Sequence, residues 1–143
     1  MALDPKIWGP HYWFFLHTVT LCYPLRPNAV TKKKYYEFVN NIPLFIPNEN
    51  LSSEFSKLLD EYPVSPYLDT RETFVKWMHF MHNKINMKLE KPVVSLSEFY
   101  VKYYEKYKNN DIKLKEYYRL REKLIYFGIL FCCGGLIYYL HDK

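Results

Sequence analysis

The chain has 143 residues, 49% apolar, 20% aromatic and 24% charged, enough for a buried core and too hydrophobic for a disordered segment. It holds only four glycines, with none in residues 10–127, which excludes a phosphate-cradling P-loop, a GxGxxG dinucleotide turn and hairpin-rich β folds. Three cysteines (Cys22, Cys132 and Cys133) exclude a disulfide scaffold and a four-cysteine zinc site, while the net charge of +5 concentrates in residues 102–123, where eight basic side chains meet four acidic ones.

Met1 to Pro10 contains Asp4, Pro5 and Lys6 and no apolar stretch, so no secretory leader is expected there. The first helix is predicted from about His11 to Cys22, apolar nearly all round, stopped by Pro24 and therefore central and buried. A second is expected from an N-cap at Thr31, carrying Tyr35, Tyr36, Phe38, Val39 and Ile42 until Pro43. A third begins near Asn48, with Phe55, Leu58, Leu59 and Tyr62 spaced as one helical face, before Pro63 and Pro66 enforce a loop. Asp69 or Thr70 caps the fourth and longest, which runs to about Leu89 with an apolar stripe of Phe74, Trp77, Met78, Met81, Ile85 and Leu89. Ser95 or Ser97 caps a fifth containing Phe99 and Val101.

Nothing of comparable length alternates with period two, so the fold class is all-α. Residues 1–108 form the helical domain, residues 109–123 a basic juxtamembrane helix, and residues 124–140 a transmembrane helix. That last stretch, LIYFGILFCCGGLIYYL, has no charge and no proline. As a helix it reaches roughly 25 Å, the short end of what crosses a bilayer. Arg119, Arg121 and Lys123 precede it, and Tyr126, Tyr138 and Tyr139 lie near its ends. The basic flank puts the main domain on the cytosolic side, as in a tail-anchored protein of a host-cell or virion membrane. Because this charge adjoins an apolar run, membrane topology explains it better than nucleic-acid binding does.

The fourth helix carries an unusual polar set: His79, His82, Asn83, Asn86, Lys88 and, just beyond, Lys91. His79, His82 and Asn86 share one face. No acidic or thiol ligand sits at a supporting spacing, so no metal site is expected. Imidazoles for stacking, amides for hydrogen bonds and lysines for phosphates suit a nucleotide-like ligand held between helices. Trp8, Gly9, Trp13, His17 and Tyr23 form a second constellation at the first helix, where Trp13 and His17 are four apart.

Two segments, WGPHYWFFLHTVTLCYP at residues 8–24 and HNKINMKLEKP at residues 82–92, carry a resemblance. They are similar to the W-x-x-x-H…Y-P and H-N-x-V-N-x-K-L-G-K-P signatures of the Erv/ALR family of FAD-linked sulfhydryl oxidases, which large DNA viruses also carry. Ile85 stands for the valine and Glu90 for the glycine. The resemblance covers roughly residues 6–104. It implies a five-helix bundle that cups FAD, oxidises a pair of protein thiols to a disulfide and passes the electrons through the flavin to oxygen. It further implies that Trp8, Gly9, Trp13, His17 and Tyr23 line the flavin. His79, which is cysteine in some relatives, would hold the adenosine and phosphates together with His82, Asn83, Asn86, Lys88 and Lys91. Lys102 and Tyr103 would add a further cofactor contact.

The family's redox C-x-x-C does not carry over, because its two positions hold Asn48 and Leu51. Neither side chain can attack a disulfide or resolve a mixed one. Cys132 and Cys133 fall within the anchor, and Cys22 has no partner in sequence reach. Two functions therefore stand: a membrane-anchored sulfhydryl oxidase acting on a thiol-containing protein, or an inactive FAD-binding module that docks a partner. Either is compatible with a homodimer or a heterodimer with an active relative.

Overall fold

The computed structural model describes residues 3–108 and 110–141. Among them are six α-helices and no strand: α1 (Pro5–Leu21), α2 (Ala29–Asn41), α3 (Glu49–Glu61), α4 (Arg71–Lys88), α5 (Leu96–Glu105) and α6 (Asn110–His141). Short 3-10 turns at Ile42–Phe45 and Ser65–Tyr67 join α2 to α3 and α3 to α4. The chain divides into two compact units, one ending at Val101 and the other starting at Lys102.

Side-chain caps set the helix starts. Asn48 Oδ1 accepts the Leu51 N–H at 2.9 Å and opens α3, and Thr70 Oγ1 accepts the Thr73 N–H at 3.1 Å and opens α4. Ser95 Oγ accepts from Glu98 N–H at α5. α2 begins earlier than expected, because Asn28 Oδ1, not Thr31, takes the cap by accepting the Thr31 N–H at 2.8 Å. α1 also starts earlier, at Pro5 instead of His11. Asp4 accepts from Lys6 N–H at 2.8 Å and Pro5 supplies a preset φ at the first helical position, so Gly9 and Pro10 lie inside the helix. α1 is also less buried than its composition implies. Only Leu16, His17 and Thr20 are fully covered, while Ile7 and Phe15 remain 71% and 55% exposed.

α1 packs along α4, which forms the axis of the first unit. Phe74, Trp77, Met78, Met81 and Ile85 are buried together with Leu16, Tyr23, Val39, Phe55, Leu58 and Leu59. The polar tips of the large aromatics are satisfied: Trp77 Nε1–H donates to the Tyr62 carbonyl at 3.0 Å, and the Tyr23 hydroxyl donates to the Leu68 carbonyl at 2.8 Å.

The expected basic and apolar helices are one continuous helix, α6. Among the described residues no helix is long and apolar enough to cross a membrane. The side chains of Leu136, Ile137 and Tyr139, part of the expected span, lie outside the described ones.

α4 ends in a Schellman closure. Lys91 N–H returns to the Asn86 carbonyl at 2.8 Å and Glu90 N–H to that of Met87 at 3.2 Å, with Glu90 at φ 54°. This left-handed position favours glycine, which the resembling motif carries there. Replacing Glu90 with glycine should raise stability by roughly 1 kcal/mol, read as a higher urea midpoint; an unchanged or lower midpoint would contradict the assignment.

Candidate functional site

The α1–α4 packing brings residues 65 positions apart into contact: His17 Nε2 lies 2.9 Å from His82 Nδ1. Trp13, one turn before His17 on the same face of α1, stacks flat on the His82 ring with centroids 4.0 Å apart and planes 11° from parallel. Phe99 from α5 closes the other side, 4.3 Å from the His17 ring and 5.5 Å from that of His79. The result is a seam of planar rings between helices, with Phe55 of α3 behind Trp13 at 6.3 Å.

Burial controls the charge of this seam. Desolvation first, then the proximity of His82 and His79, pushes His17 down to about 3. Burial, then His79 and the Lys91 ammonium, pushes His82 down to about 4. His79 is lowered too, mainly by burial, against hydrogen bonds to the Val94 and Ser95 backbone that raise it. At neutral pH, His17 and His82 are therefore uncharged and share a single N–H between Nε2 and Nδ1. The other ring nitrogen of His17, Nδ1, is buried with no hydrogen-bond partner among the described residues. An unmet buried polar atom costs on the order of 1–3 kcal/mol, a cost the seam carries at this position.

The remaining expected ligands have varied surroundings. Asn83 gives its amide to the loop after α4: Nδ2 donates to the Val94 carbonyl at 2.9 Å and Oδ1 accepts the Val94 N–H at 3.1 Å, with His79 Nε2 3.4 Å from the same Nδ2. It thus acts as a clamp that fixes residues 89–95. Lys88 pairs with Glu54 of α3 at 3.1 Å, alongside Lys57 at 2.8 Å, and these two cations hold the Glu54 carboxyl below its usual range. Asn86 is buried and Lys91 exposed. Tyr23, expected beside the flavin, is a core residue with no exposed surface. Its ring meets Tyr35 and Phe74 at 4.6 and 5.1 Å, and its carbonyl accepts from the Arg71 guanidinium. Trp8 packs edge-on against Tyr12 at the start of α1, its indole donating to the Leu3 carbonyl at 3.3 Å. The space beside Gly9 is open. Lys102 and Tyr103 belong to the second unit, where the hydroxyls of Tyr103 and Tyr107 lie 2.9 Å apart.

Phe99, Val94 and Glu54 were not picked out in the sequence. Phe99 looked like one more apolar position of α5, and the other two act only through tertiary contacts. At the start of α3, Asn48 caps the helix and Leu51 is half-buried, so the place of the expected dithiol holds an amide and an isobutyl group. Cys22, Cys132 and Cys133 are exposed free thiols. Among the described residues no three His, Cys, Asp or Glu side chains converge on a metal position.

Comparison with known proteins places this geometry in context. The family model described as Erv1 / Alr matches residues 10–108. A probable FAD-linked sulfhydryl oxidase of Acanthamoeba polyphaga mimivirus is 32% identical over 97 residues, 67% of this chain and 68% of that protein. The mitochondrial FAD-linked sulfhydryl oxidase of Saccharomyces cerevisiae is 33% identical over 89 residues, and the match spans only 46% of its length. Among solved structures, the yeast Erv1 core aligns with a TM-score of 0.64 at 27% identity, covering 77% of this chain and 88% of the other. The FAD-binding domain of yeast Erv1 aligns with a TM-score of 0.61 at 31% identity, covering 65% and 87%.

The depressed histidines have a thermodynamic consequence. Unfolded histidines titrate near 6.5, so as pH falls below that value the unfolded chain takes up protons that the folded seam refuses. Stability should be flat above about pH 6.5 and decline below it, by up to about 1.4 kcal/mol per pH unit for each histidine, until the folded pair itself protonates. Urea midpoints compared between pH 7.5 and pH 5 test this. A His17→Gln/His82→Gln double variant should show a much shallower decline, and equal midpoints in the parent protein would refute the neutral seam.

Proposed function

Because this chain belongs to the Erv1/Alr family, we propose that it is a flavin-binding member held at a membrane, in which thiol–disulfide exchange at α3 is disabled. The carrying observation is Asn48: where the family mechanism needs a thiolate, this chain has an amide whose oxygen is occupied by the Leu51 N–H. Neither Asn48 nor Leu51 can form a mixed disulfide, and Cys22, Cys132 and Cys133 offer no second pair at that helix start.

The residues of the α1–α4 seam fit the FAD that its relatives are named for. His17 presents a buried, unpartnered ring nitrogen, Trp13 and His82 present planar faces, and Lys91 brings a cation to the edge of the same group. Trp13, His17, His82, Asn86 and Lys91 are the residues that would hold the cofactor. When bound, FAD supplies a two-electron acceptor that can be reoxidised by oxygen. The neutral histidines let the seam stack against an aromatic ring system without placing a buried cation there, and Asn83 keeps the Lys91 loop pinned to α4. Lys88 already neutralises Glu54, so Lys91 is the better phosphate partner.

The membrane part of the reading is supported by α6. Its residues from Leu124 onward carry no charge through Leu140, and Leu124, Phe127, Leu130 and Phe131 are all exposed. A helix apolar on every side and exposed to solvent has a strong hydrophobic reason to enter lipid. The protein would then act at a membrane as a flavin-loaded docking module for a thiol-containing partner, including a relative that retains the redox pair.

The purified protein should be yellow, and its flavin absorbance should persist when a dithiol is added, with negligible oxygen uptake. The Asn48→Cys/Leu51→Cys variant should gain dithiol-dependent bleaching of the flavin. Colourless, folded protein would remove the cofactor from the reading, whereas rapid oxygen uptake by the unaltered chain would show that thiol exchange is intact.

A further inference from the structure

The basic groups in and just before α6 differ in what they face. Lys108 is neutralised by Glu116 at 3.0 Å. Arg119, Arg121 and Lys123, the last three basic residues before the apolar run, are exposed and paired with no acid among the described residues. Glu122 is the one acidic residue among them, leaving residues 119–123 with a net charge of +2.

Because α6 is unbroken from Asn110 to His141, these side chains have a fixed axial position relative to Leu124. At about 1.5 Å per residue, Lys123 sits about 1.5 Å, Arg121 about 4.5 Å and Arg119 about 7.5 Å outside the first apolar residue. A bilayer's polar layer extends roughly 5–7 Å beyond each side of its hydrocarbon core, so all three fall within it or at its outer edge. Lys115 lies about 13 Å out, beyond a Debye length of about 8 Å at physiological salt. Tyr126, about 3 Å past Leu124, is exposed close to the same boundary, where amphipathic rings are favoured. The apolar run is also short, roughly 25 Å against a core of about 30 Å, which draws long flanking cations toward the lipid phosphates.

We propose that Arg119, Arg121 and Lys123 form a collar that binds anionic lipid head groups at the membrane surface. This rests on the anchor reading above. A free phosphate shares the chemistry, but the continuity of the collar with the apolar run favours a phosphate fixed in a bilayer.

The full chain, reconstituted in vesicles of equal phosphatidylcholine and phosphatidylserine, tests the collar. After mild detergent extraction at low salt, retained lipid should be enriched in phosphatidylserine by about threefold or more over the bulk ratio. The Arg119→Gln/Arg121→Gln/Lys123→Gln variant, or high salt, should return that ratio to near unity. Lys33→Gln/Lys34→Gln on α2 should leave the enrichment in place. Resistance to alkaline extraction, measured in parallel, reports on the anchor alone. A chain that resists alkali yet retains both lipids equally would overturn the collar and spare the anchor. A chain released by alkali would overturn both. Loss of the enrichment with added inorganic phosphate at constant ionic strength would assign the site to free phosphate instead.

Discussion

The contact between His17, which is buried, and His82, which is half-buried, holds two imidazoles uncharged where α1 meets α4. α1 reaches α4 through this pair and through Trp13, which lies flat on the His82 ring. Protonating both rings would set two cations 2.9 Å apart in a poorly solvated seam, with Lys91 adding to the repulsion. Neutrality is kept by covering: Phe99 closes one side, the loop clamped by Asn83 another, and Phe55 supports the indole from behind. The same covering leaves His17 Nδ1 without a partner, so the feature that stabilises the seam also leaves it one hydrogen bond short.

Much of this bundle could be read from local chemistry. Asn48 and Thr70 stand immediately before amphipathic runs, and prolines stop α1's continuation and interrupt the α3–α4 loop. The α4 stripe is periodic enough to show its buried face without any structure. The start of α1 was misplaced because Gly9 and Pro10 look like breakers, whereas Asp4 and Pro5 begin the helix before them. Asn28 was overlooked because Thr31 is an equally good cap residue three positions later.

The site was legible as a set of residue types but not as an arrangement. Nothing in the spacing of Asn83 says that its amide bonds the backbone of Val94, eleven residues on in an irregular loop. Nor does the local sequence reveal that Tyr23, beside an exposed cysteine, turns its ring wholly into the core and its hydroxyl to Leu68. These commitments follow from tertiary packing, in which a polar side chain serves whichever unsatisfied group lies nearest.

Asn48 bears on how such a chain persists. An asparagine at a helix N-cap contributes about 1 kcal/mol relative to a residue that cannot cap, and α3 carries Phe55, Leu58 and Leu59 of the core. A cysteine at this position is a poorer cap, so an intact redox pair here sets catalytic power against scaffold stability. This chain sits at the stable end of that trade-off. The same bundle carries a left-handed glutamate at the end of α4, a conformation that costs a side chain more than it costs glycine.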